Sequence, residues 1–153
     1  NKFSIESNLS DKEKLFAMLI RDADKIDIFR VKLETDFYEL FPNIEQKYNG
    51  MEITDKVYND FMNNKLITCS DRKIALDFQI GCLAFIYDLN FPISIDIIRT
   101  HSYIPKLIKT FRYEDKITKE RLANIEAHAV EYINRRILND TKQIPTTNKL
   151  QTV

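Results

Sequence analysis

Two glycines and four prolines are scant punctuation for 153 residues, and a sheet protein that must turn every few residues would need more. Only two cysteines occur. Cys69 and Cys82 are too few and too far apart for a disulfide framework or a Cys-x-x-Cys zinc knuckle, so they read as isolated buried thiols. Such thiols suit a reducing compartment, and a cytoplasmic location is expected. There is no charge of one sign to speak of: Lys+Arg and Asp+Glu number 23 each, so no net field draws the chain to nucleic acid or to a membrane surface. No apolar run approaches the roughly 18 residues of a membrane span, and Asn1-Lys2-Phe3-Ser4 lacks a signal-peptide pattern. A glycine-rich phosphate loop and a Gly-x-Ser-x-Gly elbow are both missing, which removes P-loop and serine-hydrolase chemistry.

What remains is a chain that is 44% apolar, enough for one moderate core in one domain. Its apolar residues fall at helical spacing, which predicts an all-α domain of about five or six helices. Ser10-Asp11-Lys12-Glu13 has the form of a capping box. The helix it opens carries a stripe through Leu15, Phe16, Leu19, Ile20, Ala23, Ile26, Phe29, Leu33, Phe37 and Leu40, with Pro42 as the latest end. Asn49-Gly50 marks a turn. Further helices are expected from Thr54-Asp55 through Met62, from Ser70-Asp71 to Asn90, from Ser94 past Pro105 to Phe111, and from Thr118 to Ile137. Gly81 inside the second of these suits the close approach of a neighbouring helix. The helical portion spans 4–138, and 139–153 reads as a polar tail.

The most telling segment is Ile20-Arg21-Asp22-Ala23-Asp24-Lys25-Ile26-Asp27, with three carboxylates in six residues of an apolar helix. A charge beside a packed face needs an ion pair, a hydrogen-bond network or a metal. Helical geometry puts Asp24 at the edge of the apolar stripe, turns Lys25 towards solvent, and sets Asp27, Arg30 and Glu34 deeper as an internal salt-bridge row. An edge carboxylate can ligate a metal if imidazoles converge on it, but one Asp alone cannot hold the ion.

This segment resembles the late Asp motif of HD-domain metal-dependent phosphohydrolases, with Asp24 in the alanine-Asp-basic-hydrophobic pattern. Asp22 and Asp27 match additional acidic residues of a bacterial subgroup. The helical pattern to about Leu138, including Phe85-Ile86-Tyr87-Asp88-Leu89-Asn90-Phe91 and Tyr103-Ile104-Pro105, is similar to the second half of such proteins. The resemblance implies an HD-domain-like helical bundle, N-terminally incomplete, with Asp24 as the last ligand of a divalent metal. The family's upstream His and His-Asp motifs have no counterpart here, so the fragment is expected to be inactive alone and to bind no metal tightly. It further implies a small phosphorylated substrate, a nucleotide or other phosphoester, for the intact protein.

Other residues near such a site are Lys25, Asp27, Asp88, His101 and Lys106. Asp88 is unfavourable near a helix C-terminus, which marks it as a hydrogen-bond partner for the site wall. His101 has two readings, a core-edge histidine or a general acid or phosphate contact. Lys106, Lys109 and Arg112 recur at three and share a helix flank, either solvated or facing a phosphate. His128 matches no metal spacing. No nucleic-acid or membrane partner is expected, whereas an apolar face left by missing helices favours self-association. The alternative function is a non-catalytic helical structural or protein-interaction module.

Overall fold

The computed structural model describes residues 8–36, 39, 52–113 and 115–142. Within them the secondary structure is all-α, with no strand. Six α-helices follow one another: α1 (Asp11–Glu34), α2 (Asp55–Met62), α3 (Ala75–Leu83), α4 (Pro92–Thr100), α5 (Tyr103–Ile108) and α6 (Lys116–Lys142). Short 3-10 turns occupy Cys69–Asp71 and Ala84–Asp88. None of these helices is long and apolar enough to cross a membrane.

The pair α4–α5 lies between the two long helices, touching α1 on one side and α6 on the other. α2 bridges α3 and α6, and α3 also meets α1. Their shared core holds Phe29, Phe61, Ile80, Leu83, Ile95, Ile98, Ile104, Leu107, Ile125 and Ile133, all almost wholly buried. Tyr87 extends it sideways, edge-on to Phe61 at 5.2 Å and to Tyr132 at 4.8 Å. Burial pushes the Tyr87 hydroxyl above its ordinary range.

Helix starts follow local capping in part. The capping box forms: the Ser10 amide donates to the Glu13 carboxylate at 2.8 Å, and the Glu13 amide to Ser10 Oγ at 3.4 Å. Thr54 caps α2 through the Val57 amide. Elsewhere the starts shift. The helix expected from Ser70-Asp71 makes one 3-10 turn and becomes α-helical only at Ala75. The cause is Asp77, a fully buried carboxylate that accepts from the amides of Lys73 and Ile74 and, across to α2, from the amide of Thr54. Ser94 does not cap a helix, as α4 begins at Pro92 and buries Ser94 within its first turns. A proline costs no hydrogen bond at that position. Thr118 lies inside α6, whose start is capped by Asp115, an acceptor of the Thr118 amide at 2.6 Å. That bond holds the Asp115 carboxyl below its usual range.

The expected break near Pro105 falls earlier. Ser102 adopts a left-handed conformation (φ 53°), and α5 restarts behind it with Pro105 in its first turn. α1 ends at Glu34, with Thr35 extended, and the later stripe residues Phe37 and Leu40, like Asn49-Gly50, lie outside the described residues. α6 continues past Asn139, the expected start of the tail. Gly81 admits no neighbouring helix. It seats the Arg72 guanidinium, whose Nε would lie 2.5 Å from an added Cβ, and Arg72 NH2 is anchored to the Ile67 carbonyl at 2.9 Å.

Candidate functional site

The charged segment of α1 splits between opposite sides of its helix. Asp22, Lys25 and Phe29, spaced three and four apart, form the buried side. Asp22 is 2% exposed. Its carboxylate accepts from the Asn90 amide at 2.9 Å, from Asn90 Nδ2 at 2.8 Å and from the Phe91 amide at 3.0 Å. Phe91 is the residue before α4 and has no side-chain oxygen to cap it. Asp22 therefore caps α4 from another helix, placing a negative charge at the positive end of its dipole. Sequence spacing did not single out this role, though one signal was available. Asn90-Phe91-Pro92 opens a helix without a local cap at Phe91, so an acceptor must come from elsewhere.

Asp88, at the end of the 3-10 turn before α4, completes the joint. It takes Arg21 NH2 at 2.6 Å and Lys25 Nζ at 2.9 Å. The carboxylate is thus spoken for by two cations, as its awkward place at a helix end suggested. Lys25, expected in solvent, is buried to 8% exposure because its ammonium reaches inward to this acid.

Asp24 is exposed and takes no part in that joint's ion pairs or hydrogen bonds. The face it shares is not bare of hydrocarbon. Leu15, Phe16, Leu19 and Ile20 are 47%, 51%, 44% and 68% exposed, and nothing among the described residues covers them. Phe16, Ile20 and Asp24 recur every four residues, so Asp24 closes the C-terminal end of an uncovered apolar row. The expected setting of the stripe was consequently wrong by about a quarter-turn. The packed side is set by the Asp22 and Lys25 anchors, and the first half of the stripe faces outward.

The same rotation corrects the Asp27–Arg30–Glu34 row. Its pairs form, with Arg30 NH2 at 2.8 Å from Asp27 Oδ1 and Arg30 NH1 on Glu34, but all three side chains are about half exposed or more. The hydrogen bond and charge of Asp27, with Glu34 behind, raise the Arg30 guanidinium further above its ordinary value. Surface pairs of this kind are screened by solvent and add little to stability.

Among the described residues, His101 and Lys106 form no ion pair or hydrogen bond with Asp24. His101 is exposed at the end of α4 and stacks on Tyr103 at 5.4 Å, which in turn packs on Phe29 at 5.9 Å. Lys106 is exposed on α5. Lys106, Lys109 and Arg112 do not share a helix flank, because α5 stops at Ile108 and Arg112 turns to Asp36 at 3.1 Å. His128 bonds through Nε2 to the Asn64 side chain at 2.9 Å and packs edge-on to Phe61, tying the end of α2 to α6. Cys69 is exposed and Cys82 half-buried, so only the second approaches the expected burial. Cys82 bonds to Lys32, whose amine burial holds below its ordinary range. A shallow cavity of about 190 Å³ between the α4–α5 corner and α6 is lined by Ile98, Ile104, Val130 and Ile133, with no carboxylate or imidazole.

A bound metal ion needs several convergent donors. No group of three or more His, Cys, Asp or Glu converges among the described residues. Asp24 by itself does not fit a metal centre. It offers one carboxylate, and any further ligands would come from outside the described residues. No protein-family model, no curated protein and no solved structure matches the chain.

Proposed function

We propose that the chain is the C-terminal helical portion of an HD-type metal-dependent phosphohydrolase, with Asp24 as one ligand of a divalent metal. The single observation carrying this reading is the direction of Asp24. It stands exposed at the end of the uncovered row Phe16–Ile20, while the neighbouring Asp22 and Lys25 are buried against the rest of the fold. Elements laid on that apolar row would bring their own side chains to Asp24. The family resemblance of Ala23-Asp24-Lys25-Ile26 supplies what those side chains would be: imidazoles and a His-Asp pair. The substrate class is a nucleotide or other phosphoester, and the compartment cytoplasmic.

A divalent metal held by Asp24 together with donors from elsewhere would supply Lewis-acid chemistry for phosphoester hydrolysis. No catalytic step follows from one carboxylate, and this chain alone is expected to be inactive. What its own residues supply is orientation. Asp22 fixes the rotation of α1 against α4, and Asp88 with Lys25 and Arg21 keeps the segment from turning.

The test is a longer protein that includes the sequence preceding Asn1, assayed for metal content and against a panel of phosphomonoesters and phosphodiesters. Stoichiometric metal is expected, with activity reduced about 100-fold or more in Asp24→Ala. A longer protein that carries no His and His-Asp residues, or an Asp24→Ala form with full metal content and activity, removes the reading. The second reading, a non-catalytic interaction module, draws on the uncovered apolar face itself, since such patches mark interaction surfaces. It predicts partner binding with no metal dependence.

A further inference from the structure

We infer that the uncovered face of α1 is the docking surface for a second copy of this chain, the two α1 helices pairing antiparallel. The inference uses the same face as the reading above but none of its metal chemistry. The face comprises Leu15, Phe16, Leu19 and Ile20, with Lys12 at its N-terminal end and Asp24 at its C-terminal end, all exposed. A two-fold axis passing near Met18 places residues whose numbers sum to about 36 opposite one another. Phe16 then meets Ile20 of the other copy, and each Lys12 meets the other copy's Asp24.

The face is therefore self-complementary in both shape class and charge: an apolar centre, with a cation at one end matched to an anion at the other. A parallel pair would instead set Lys12 against Lys12 and Asp24 against Asp24, which like-charge repulsion disfavours. Antiparallel alignment also opposes the helix dipoles favourably. The central side chains are too few for an obligate interface, so the pair is reversible. In a longer protein whose own helices cover α1, pairing and coverage exclude each other.

Sedimentation equilibrium of this chain, without metal, across the micromolar range gives the test. A monomer–dimer equilibrium is expected, lost in Phe16→Gln/Ile20→Gln. Those side chains are exposed, so helical circular dichroism, and the urea midpoint measured at concentrations where both forms are monomeric, should stay unchanged and certify folding. Lys12→Glu alone and Asp24→Lys alone should each weaken the dimer about tenfold, and the double exchange Lys12→Glu/Asp24→Lys should restore it. A monomer at all concentrations overturns the inference, as does a dimer indifferent to the Phe16/Ile20 change. Single exchanges that weaken association without rescue by the double exchange also overturn it. Because no metal enters, this outcome is independent of the metal content of the longer protein.

Discussion

The two halves of α1 invert the usual rule of burial. Its first half carries Leu15, Phe16, Leu19 and Ile20 and buries none of them, whereas its second half buries Asp22 and Lys25 beside Phe29. The difference is what lies opposite. α4, α5 and α3 face the second half, and the start of α4 presents amides that need an acceptor. A carboxylate there is worth more than a leucine, because three donors would otherwise be left without partners. Burial along this helix thus follows the demands of its neighbours more than the hydropathy of its own residues.

The comparison breaks most sharply at Asp22. Asp22→Ala should destabilise the fold by about 3 kcal/mol, read from urea unfolding, since the part-buried Asn90 and Phe91 amides would lose their acceptor. A loss under about 0.5 kcal/mol would mean that water or a rearranged loop satisfies them equally well.

An intermediate effect is expected at Lys32, the half-buried amine bonded to Cys82. Its proton affinity is lowered in the fold, so over the interval from that lowered value up to the ordinary 10.5 the unfolded chain binds more protons than the folded one. Stability attributable to Lys32 therefore rises with pH across that interval and is lost as pH falls through it. Unfolding of the protein and of Lys32→Met, followed from neutral to alkaline pH, should show the native chain gaining on the variant. Parallel curves would count against a desolvated amine.

The smallest effect belongs to the outward half. Ile20→Gln should change monomer stability by less than about 0.5 kcal/mol, measured below the dimer's dissociation range. A larger loss would show that the exposed face is covered within the monomer after all.

Much of this architecture was legible beforehand. The capping box at Ser10 and Glu13, the Thr54 cap and the helical spacing of α2, α4 and α6 are local signals, and each produced its element. The rotation of α1 was not legible, because a stripe that will be covered and one that will not have the same periodicity. The starts of α3, α4 and α6 were misplaced for a related reason: Asp77, Asp22 and Asp115 cap them, and two of these acids reach across to other elements. The clash of Asp88 with the helix dipole did signal a need for partners, which Arg21 and Lys25 supply. The partner of Asp24 has no signature in this chain at all, and the case for it rests on the motif resemblance and the open face.

The bond from Asp22 to Asn90 spans 68 residues of sequence, while α4, α5 and α6 meet one another over short connections. Closing so long a loop carries an entropic toll that the local pairs never meet. α1 should accordingly arrive last, against a surface already assembled, and leave first when conditions worsen. Amide hydrogen exchange would see this as early deprotection along α1 while α6 stays closed. The segment bearing Asp24 would then be the part of the molecule most easily set loose.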